Sequence, residues 1–321
     1  MKASTTAIVG TIGAAIALCG TVSSFSPPAS TLAKLTHQTK LSPPYMFFAD
    51  NAAVEEETDK ETDTTAAVET ESSSNTQITP LDGSESSIGN AAKFMVDAFW
   101  LQSPQQLIQD ASNDSSELSE SAKASLINIQ ADDLMGKYGE RMGKRKLDAL
   151  ILAASESGDA QSNLQGMVTI EVRLLDKQND ILSSDASEFK LTQAVASLGP
   201  KQRREFKNAS VIDIANQLLP PDISAVAVLA NLCVSPTARR KGIAAKLCNE
   251  AERLAKEELG FDEMFLRVEA ENEAAKRLYE EKLGYECVLE AEGATALRVD
   301  GNAGTFVEVS SDIVVLKKKI K

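Results

Sequence analysis

The segment from Ala225 to Glu269 constrains this chain more than any other, because it reads as strand, helix and strand in unbroken succession. The apolar run Ala225–Val234 is a strand that stops at the turn formers Ser235-Pro236. Gly242 then opens a helix that runs to Leu259, with Ile243, Leu247, Ala251 and Leu254 on one face. A second strand follows over Glu263–Glu269. The same periodicities predict helices over 90–101 and 122–138, strands over 147–153 and 166–175, a helix over 273–283, and strands over 285–290 and 312–318. Ser103-Pro104 opens another helical stretch. The polar stretch 176–222, with Pro200 and Pro220-Pro221, reads as an insertion between strands that holds helices over 187–198 and 201–219. Interleaved strands and helices that end in an antiparallel pair make the fold class α/β (α+β), with a mixed sheet.

The folded part is expected over 86–321. Residues 50–85 hold eleven acidic residues, a single Lys and no aromatic side chain. Such a stretch cannot bury enough apolar surface to offset its ordering entropy, so it reads as an acidic disordered linker. Residues 1–49 carry three lysines and no acid. Lys2, an apolar run from Ala7 to Cys19 and the small residues Val22-Ser23-Ser24 make residues 1–24 a signal peptide; the run is short of the roughly 20 apolar residues a span needs. Residues 25–49, rich in Ser, Thr and Pro, have the composition of a transit peptide. With Phe25 directly after the expected cut, the whole resembles the bipartite presequence of algae with complex plastids. That resemblance implies a plastid stroma destination and a mature form without stable membrane association.

Composition removes several chemistries. His37 is the only histidine, and it lies in the stretch expected to be cut away. A mature chain without histidine has neither a Ser-His-Asp nor a Cys-His nucleophile pair, and no His-ligated zinc. Cys233, Cys248 and Cys287 lack metal-ligand spacing and read as thiols, so no metal is expected. Lys plus Arg number 33 against 47 Asp plus Glu, a formal charge of −14, which argues against nucleic acid or an anionic membrane as partner.

The first turn of the 242–259 helix is built for an anion. Its leading amides have no intrahelical partner and its dipole favours negative charge. Gly242 has no side chain and Ala244 only a methyl, so a phosphate can approach the backbone. Arg239, Arg240 and Lys241 stand at the same place. The pattern is neither a Walker loop nor a three-glycine dinucleotide fingerprint. About thirty residues on, Asn272 is a good helix N-cap and Gly284 a good residue to end that helix.

Together these two stretches resemble the GCN5-related N-acetyltransferase (GNAT) superfamily. Its Gln/Arg-x-x-Gly-x-Gly/Ala signature is met by Arg239, Gly242 and Ala244, and its Asn-x-x-Ala-x-x-Leu-Tyr signature by Asn272, Ala275, Leu278 and Tyr279, followed by Leu283-Gly284-Tyr285. Asn231-Leu-Cys-Val234 ahead of the Arg-Arg pair is similar to plastid members that acetylate protein N-termini and lysines. The resemblance implies a mostly antiparallel sheet, splayed between strands 225–234 and 263–269, with acetyl-CoA as co-substrate. It implies a cofactor site from Cys233, Val234, Arg239, Arg240, Lys241, Gly242, Ile243 and Ala244, with Asn272 and Ala275. The pantetheine arm would fill the splay like an added strand. An amide near Val234 would hold the thioester oxygen while the amine attacks directly. Tyr279 would protonate the departing thiolate. Relatives that modify N-termini often carry a Glu where this chain has Arg267; Glu269, two positions on and so on the same face, is the candidate base. Expected partners are proteins or peptides with free amines. A small amine or polyamine as acceptor, and a non-catalytic acyl-CoA-binding regulator, are the alternatives.

Overall fold

The computed structural model describes residues 76–102, 107–108, 118–139, 149–156, 163–176, 178 and 180–321. The presequence and most of the acidic linker lie outside the described residues. The linker reading ends too late, however. Residues Gln77–Pro80 form strand β1, which pairs antiparallel with β3 (Ala149–Ser155), and Ser84 caps helix α1 (Glu85–Met95), so regular structure is already present by 77, ahead of the expected 86. The Ile78 and Thr79 positions supply the apolar and β-branched content that the acidic composition around them obscured.

A single eight-stranded sheet has the order β1-β3-β4-β5-β6-β8-β7-β2. Its strands are β4 (Leu164–Leu175), β5 (Ser224–Val234), β6 (Glu263–Glu269), β7 (Glu286–Asp300), β8 (Thr305–Lys319) and the two-residue β2 (Leu107–Ile108). Pairing is antiparallel except between β5 and β6 and between β2 and β7. Where Ser103-Pro104 promised a helix, residues 103–106 lie outside the described residues and 107–108 are strand. The other departure is length: β7 and β8 are 15 residues each. Gly293 in β7 and Ser310-Ser311-Asp312 in β8 interrupt the apolar alternation midway, which hid the outer halves.

Helices cover both faces. On one face α6 (Ile243–Glu257) packs with the β4 side chains Val168, Ile170 and Val172 and with Leu229 of β5. The same core takes in α3 (Ser184–Ala196) and α5 (Val211–Leu218) through Leu191 and Ile214. The 176–222 insertion thus holds three helices, with the short α4 (Pro200–Glu205) between them. On the opposite face α1, continued by a π-helical turn to Trp100, and α2 (Glu120–Tyr138) bury Ile88, Val96, Leu126 and Leu134 against Ile151 and Met167. The β7–β8 hairpin reaches this second core: Leu297 and Val299 join it, and Phe306 stacks on Trp100 with centroids 4.8 Å apart. At its tip Gly304 lies so close to α2 that a Cβ would sit 2.6 Å from Cα of Ala122. Glycine is required there for the hairpin to dock.

Candidate functional site

Strand β5 carries the feature that organises the site. Opposite β4 its register slips by one residue, because Met167 faces Cys233 while Thr169 faces Ala230. The extra residue is accommodated by Asn231, whose φ is 51°. Asparagine is among the few residues that tolerate this left-handed conformation, and a bulge of this kind bends its strand away from the sheet. On the other side β5 pairs with β6 at only two positions, Ala227–Met264 and Val228–Phe265. Beyond them the strands diverge, so the backbone of β5 from Leu229 onward has no ladder partner on β6. The expected splay is present.

At its end the opening meets a groove of about 560 Å³. One wall is Val234, Arg240 and Ala244; the other is Ala274, Arg277 and Leu278, from α7 (Glu273–Lys276) and the π-helical turn after it (Arg277–Lys282). No side chain caps α6, so its first amides point into the groove without an internal partner. Arg240 and Gly242 are both left-handed, with φ of 64° and 76°, and successive amides in such a turn form an anion-binding concavity. A Cβ on Gly242 would meet nothing within 4 Å. The residues therefore fit a pyrophosphate: open space, uncapped amides, the exposed Arg240 on the groove wall, and Lys241 exposed beside it in the chain.

Arg239 and Ile243 line the same groove, and both also serve the fold; Cys233, Lys241, Asn272 and Ala275 are not among its lining residues. Arg239 is half-buried, and its guanidinium donates to the carbonyls of Val234 (3.3 Å) and Ala98 (3.2 Å), so it ties the loop to β5 and the end of α1. Asn272 accepts from the Ala275 amide at 3.1 Å and caps α7, while Ala275 is wholly buried. These two build the wall, and Ala274, Arg277 and Leu278 face the groove. Cys233 is buried among Ile151 and Met167 on the α1–α2 side, and only its backbone is near the opening. Ile243 anchors α6 to the sheet core. Tyr279 is 2% exposed, with its ring edge-on to Tyr285 at 5.7 Å.

Glu269 is 7% exposed, and both its carboxylate oxygens accept from Arg298 of β7, at 2.7 and 2.8 Å. The bidentate pair takes one lone pair of each oxygen and holds the carboxylate toward Arg298. On the same side of the sheet lies a buried cluster that the sequence reading passed over. Tyr138 at the end of α2 donates to Glu171 of β4, and Arg173 donates to the same carboxylate through Nε at 2.7 Å. Ser184 Oγ is 3.4 Å from it, and Asn231 donates to Thr169 at 3.1 Å and approaches the Tyr138 hydroxyl at 3.5 Å. Burial pushes Tyr138 well above the usual tyrosine range, and the Glu171 charge adds to this. Burial would raise Glu171 as well, but Arg173, Lys137 and the Tyr138 hydrogen bond prevail and hold it below the usual carboxylate range. A signal did exist in the sequence: Thr169, Glu171 and Arg173 form a polar row, alternating with Val168, Ile170 and Val172, on a strand buried on both faces.

Residues 215–285 match the model of the Acetyltransferase (GNAT) family. The splayed mixed sheet and the glycine-opened helix agree with that match, which points to a GNAT-type α/β fold with acetyl-CoA as co-substrate. Among solved structures the chain is similar to Arabidopsis thaliana NAA60 in complex with a bisubstrate analogue, at 16% identity over 77% of this chain and 99% of that one, with a TM-score of 0.40. It is similar to the Escherichia coli ribosomal-protein-S18-alanine N-acetyltransferase at 14% identity, 77% and 94% coverage and a TM-score of 0.36. It is also similar to a mutant of the spermidine N-acetyltransferase SpeG from Vibrio cholerae at 13%, 77% and 94%, with a TM-score of 0.39. Likeness at this level does not distinguish one amine acceptor from another. No curated protein matches the chain. Among the described residues no group of three or more His, Cys, Asp or Glu is placed to hold a metal, and no helix is long and apolar enough to cross a membrane.

Proposed function

We propose that the chain transfers the acetyl group of acetyl-CoA to the primary amine of a small molecule. The docked β7–β8 hairpin carries this reading. Its outer half is held against α1 and α2 through Trp100–Phe306 and Gly304–Ala122, so among the described residues the hairpin tip does not stand free beside the splay, the face on which we place the acceptor. The charged side chains on that face are buried and mostly paired, which suits a compact acceptor better than a polypeptide laid across it. A second reading, transfer to protein N-termini or lysines, is favoured by Asn231-Leu-Cys-Val234 ahead of Arg239-Arg240.

Bound acetyl-CoA supplies an activated thioester. In this proposal the α6 amides and the Arg240 and Lys241 cations hold its pyrophosphate, while Arg239 keeps the loop in shape. The unpaired edge of β5 aligns the pantetheine arm, and an amide beyond the Asn231 bulge, near Val234, donates to the thioester oxygen. Tyr279 returns a proton to the leaving sulfur. An aliphatic ammonium, with a pKa of about 10.4, must lose a proton before it attacks. With Glu269 engaged by Arg298, that proton leaves through water.

CoA release measured with a panel of small amines and with peptide pools tests the reading. Turnover with amines and none with peptides is expected. The reverse pattern installs the protein reading, and silence with both refutes transfer to either acceptor. We further propose that the protein works in a plastid: residues 1–49 fused to a fluorescent reporter should enter a complex plastid, and Phe25→Ala should divert it. A reporter that stays in the cytosol refutes this destination.

A further inference from the structure

On the Phe265 face of the sheet most of the charges near Glu171 are paired, and Arg267 is a cation among them that has no ion pair with a described residue. Glu171 is held by Arg173 and Tyr138, Glu269 by Arg298, and Asp133 by Lys137. Arg267 stands among them and takes part in no hydrogen bond or ion pair with the described residues. Its charged neighbours are Asp180, which lies outside ion-pair distance, and the like-charged Arg173. Burial lowers its pKa, the mark of a guanidinium partly stripped of water.

Its position gives that cation a use. Val228–Phe265 is the last pair between β5 and β6. Alternation along β6 makes Arg267 the next residue on the Phe265 face, at the mouth of the splay where β5 turns away. A guanidinium presents five donors in a planar fork that matches a carboxylate bidentately. The same fork repels a second ammonium on the acceptor, and the repulsion is strong where water is scarce.

We propose that Arg267 binds a carboxylate on the acceptor, so that the substrate is an amine carrying a carboxylate, of the amino-acid type, and not a polyamine. The proposal rests on the small-amine reading above and narrows it. Arg267 is then a specificity-determining residue whose contact is made in both ground and transition states, so its effect falls on KM more than on kcat.

The test is steady-state acetylation of matched pairs, each an amino acid and the amine left when its carboxylate is removed: ornithine and putrescine, lysine and cadaverine, phenylalanine and phenethylamine. Two peptides that differ only in an acidic or neutral second residue distinguish a free amino acid from a peptide carboxylate. The wild type should favour the carboxylate-bearing member by about ten- to a hundredfold in kcat/KM, the range of one charge-assisted contact. Arg267→Gln should collapse that ratio, and Arg267→Lys should keep part of it. Acetyl-CoA affinity, measured by calorimetry, reports that each variant is folded. Turnover without a preference, a preference for the decarboxylated amines, or a preference that survives Arg267→Gln overturns the role of Arg267 and leaves the small-amine reading standing. A preference confined to the acidic peptide overturns the free amino acid as substrate. No turnover with any pair overturns both.

Discussion

The groove at the start of α6 and the buried charge cluster around Glu171 are neighbours on one sheet, yet they are made in opposite ways. The groove is exposed and offers backbone: free amides of α6, a left-handed Gly242, and the unpaired edge of β5. The cluster is buried and offers side chains, with Arg173 fully inaccessible and Glu171 2% exposed. A backbone site needs only a local conformation, and it suits a co-substrate of fixed shape. A side-chain site depends on charges brought together from α2, β4, β6 and β7, so it can be tailored to one acceptor but costs more when any member is lost.

The largest effect should come from breaking the buried pair. Arg173→Leu leaves the Glu171 carboxylate without its main counter-ion and should cost about 3–5 kcal/mol of stability in denaturant unfolding. The double substitution Glu171→Leu with Arg173→Leu should recover most of this. A single-variant loss below about 1 kcal/mol would mean that the buried pair contributes no more than a surface one.

On the groove side the fold should be untouched while binding fails. Gly242→Asp places a carboxylate in open space where an anion must sit, in a backbone conformation that Asp tolerates. Acetyl-CoA affinity should drop about a hundredfold or more in a calorimetric titration, from like-charge repulsion at close range. Unchanged affinity would place the pyrophosphate elsewhere.

Tyr279→Phe sharpens the contrast, since its side chain is buried like the Glu171 cluster but lies on the groove side of the sheet. Acetyl-CoA affinity should hold and turnover should fall by about 10²-fold, the lower range for a lost general acid. Equal turnover in the variant would assign the proton to another donor.

The smallest effect is a pH dependence. Because the Glu171 pKa is depressed in the folded state, its contribution to stability is present above the ordinary carboxylate pKa, about 4.3, and is lost as pH falls through the folded value. The stability difference between wild type and Glu171→Gln should be full near pH 7 and shrink below about pH 4. A difference that stays constant down to pH 3 would show that the carboxylate is not ionised in the folded protein.

How much of this was legible from residues alone divides along the same line. The segment 225–269 announces its strand, helix and strand, the Gly242 opening and the cations beside it. Each is a property of neighbours in the chain: hydrophobic period, turn residues and an uncapped helix start. Roles that hang on side-chain direction were less legible. Arg239 turned inward to the Val234 and Ala98 carbonyls, Asn272 and Ala275 became cap and core, and Glu269 was taken up by Arg298. Whereas the Asn272 cap is a contact three residues long that its place in the sequence already announced, the Arg239–Ala98 and Glu269–Arg298 contacts join residues 141 and 29 positions apart, and no local pattern encodes them. The same holds for the docking of the β7–β8 hairpin, which Gly304 permits only because Ala122 is there, and for the cluster around Glu171. Sequence by itself determined the elements and the backbone-built co-substrate groove, because local sterics and hydrogen bonding act between near neighbours. Only the tertiary structure decided which charges come together around Glu171 and which of them are already paired, because desolvation and Coulomb energy depend on distance in space.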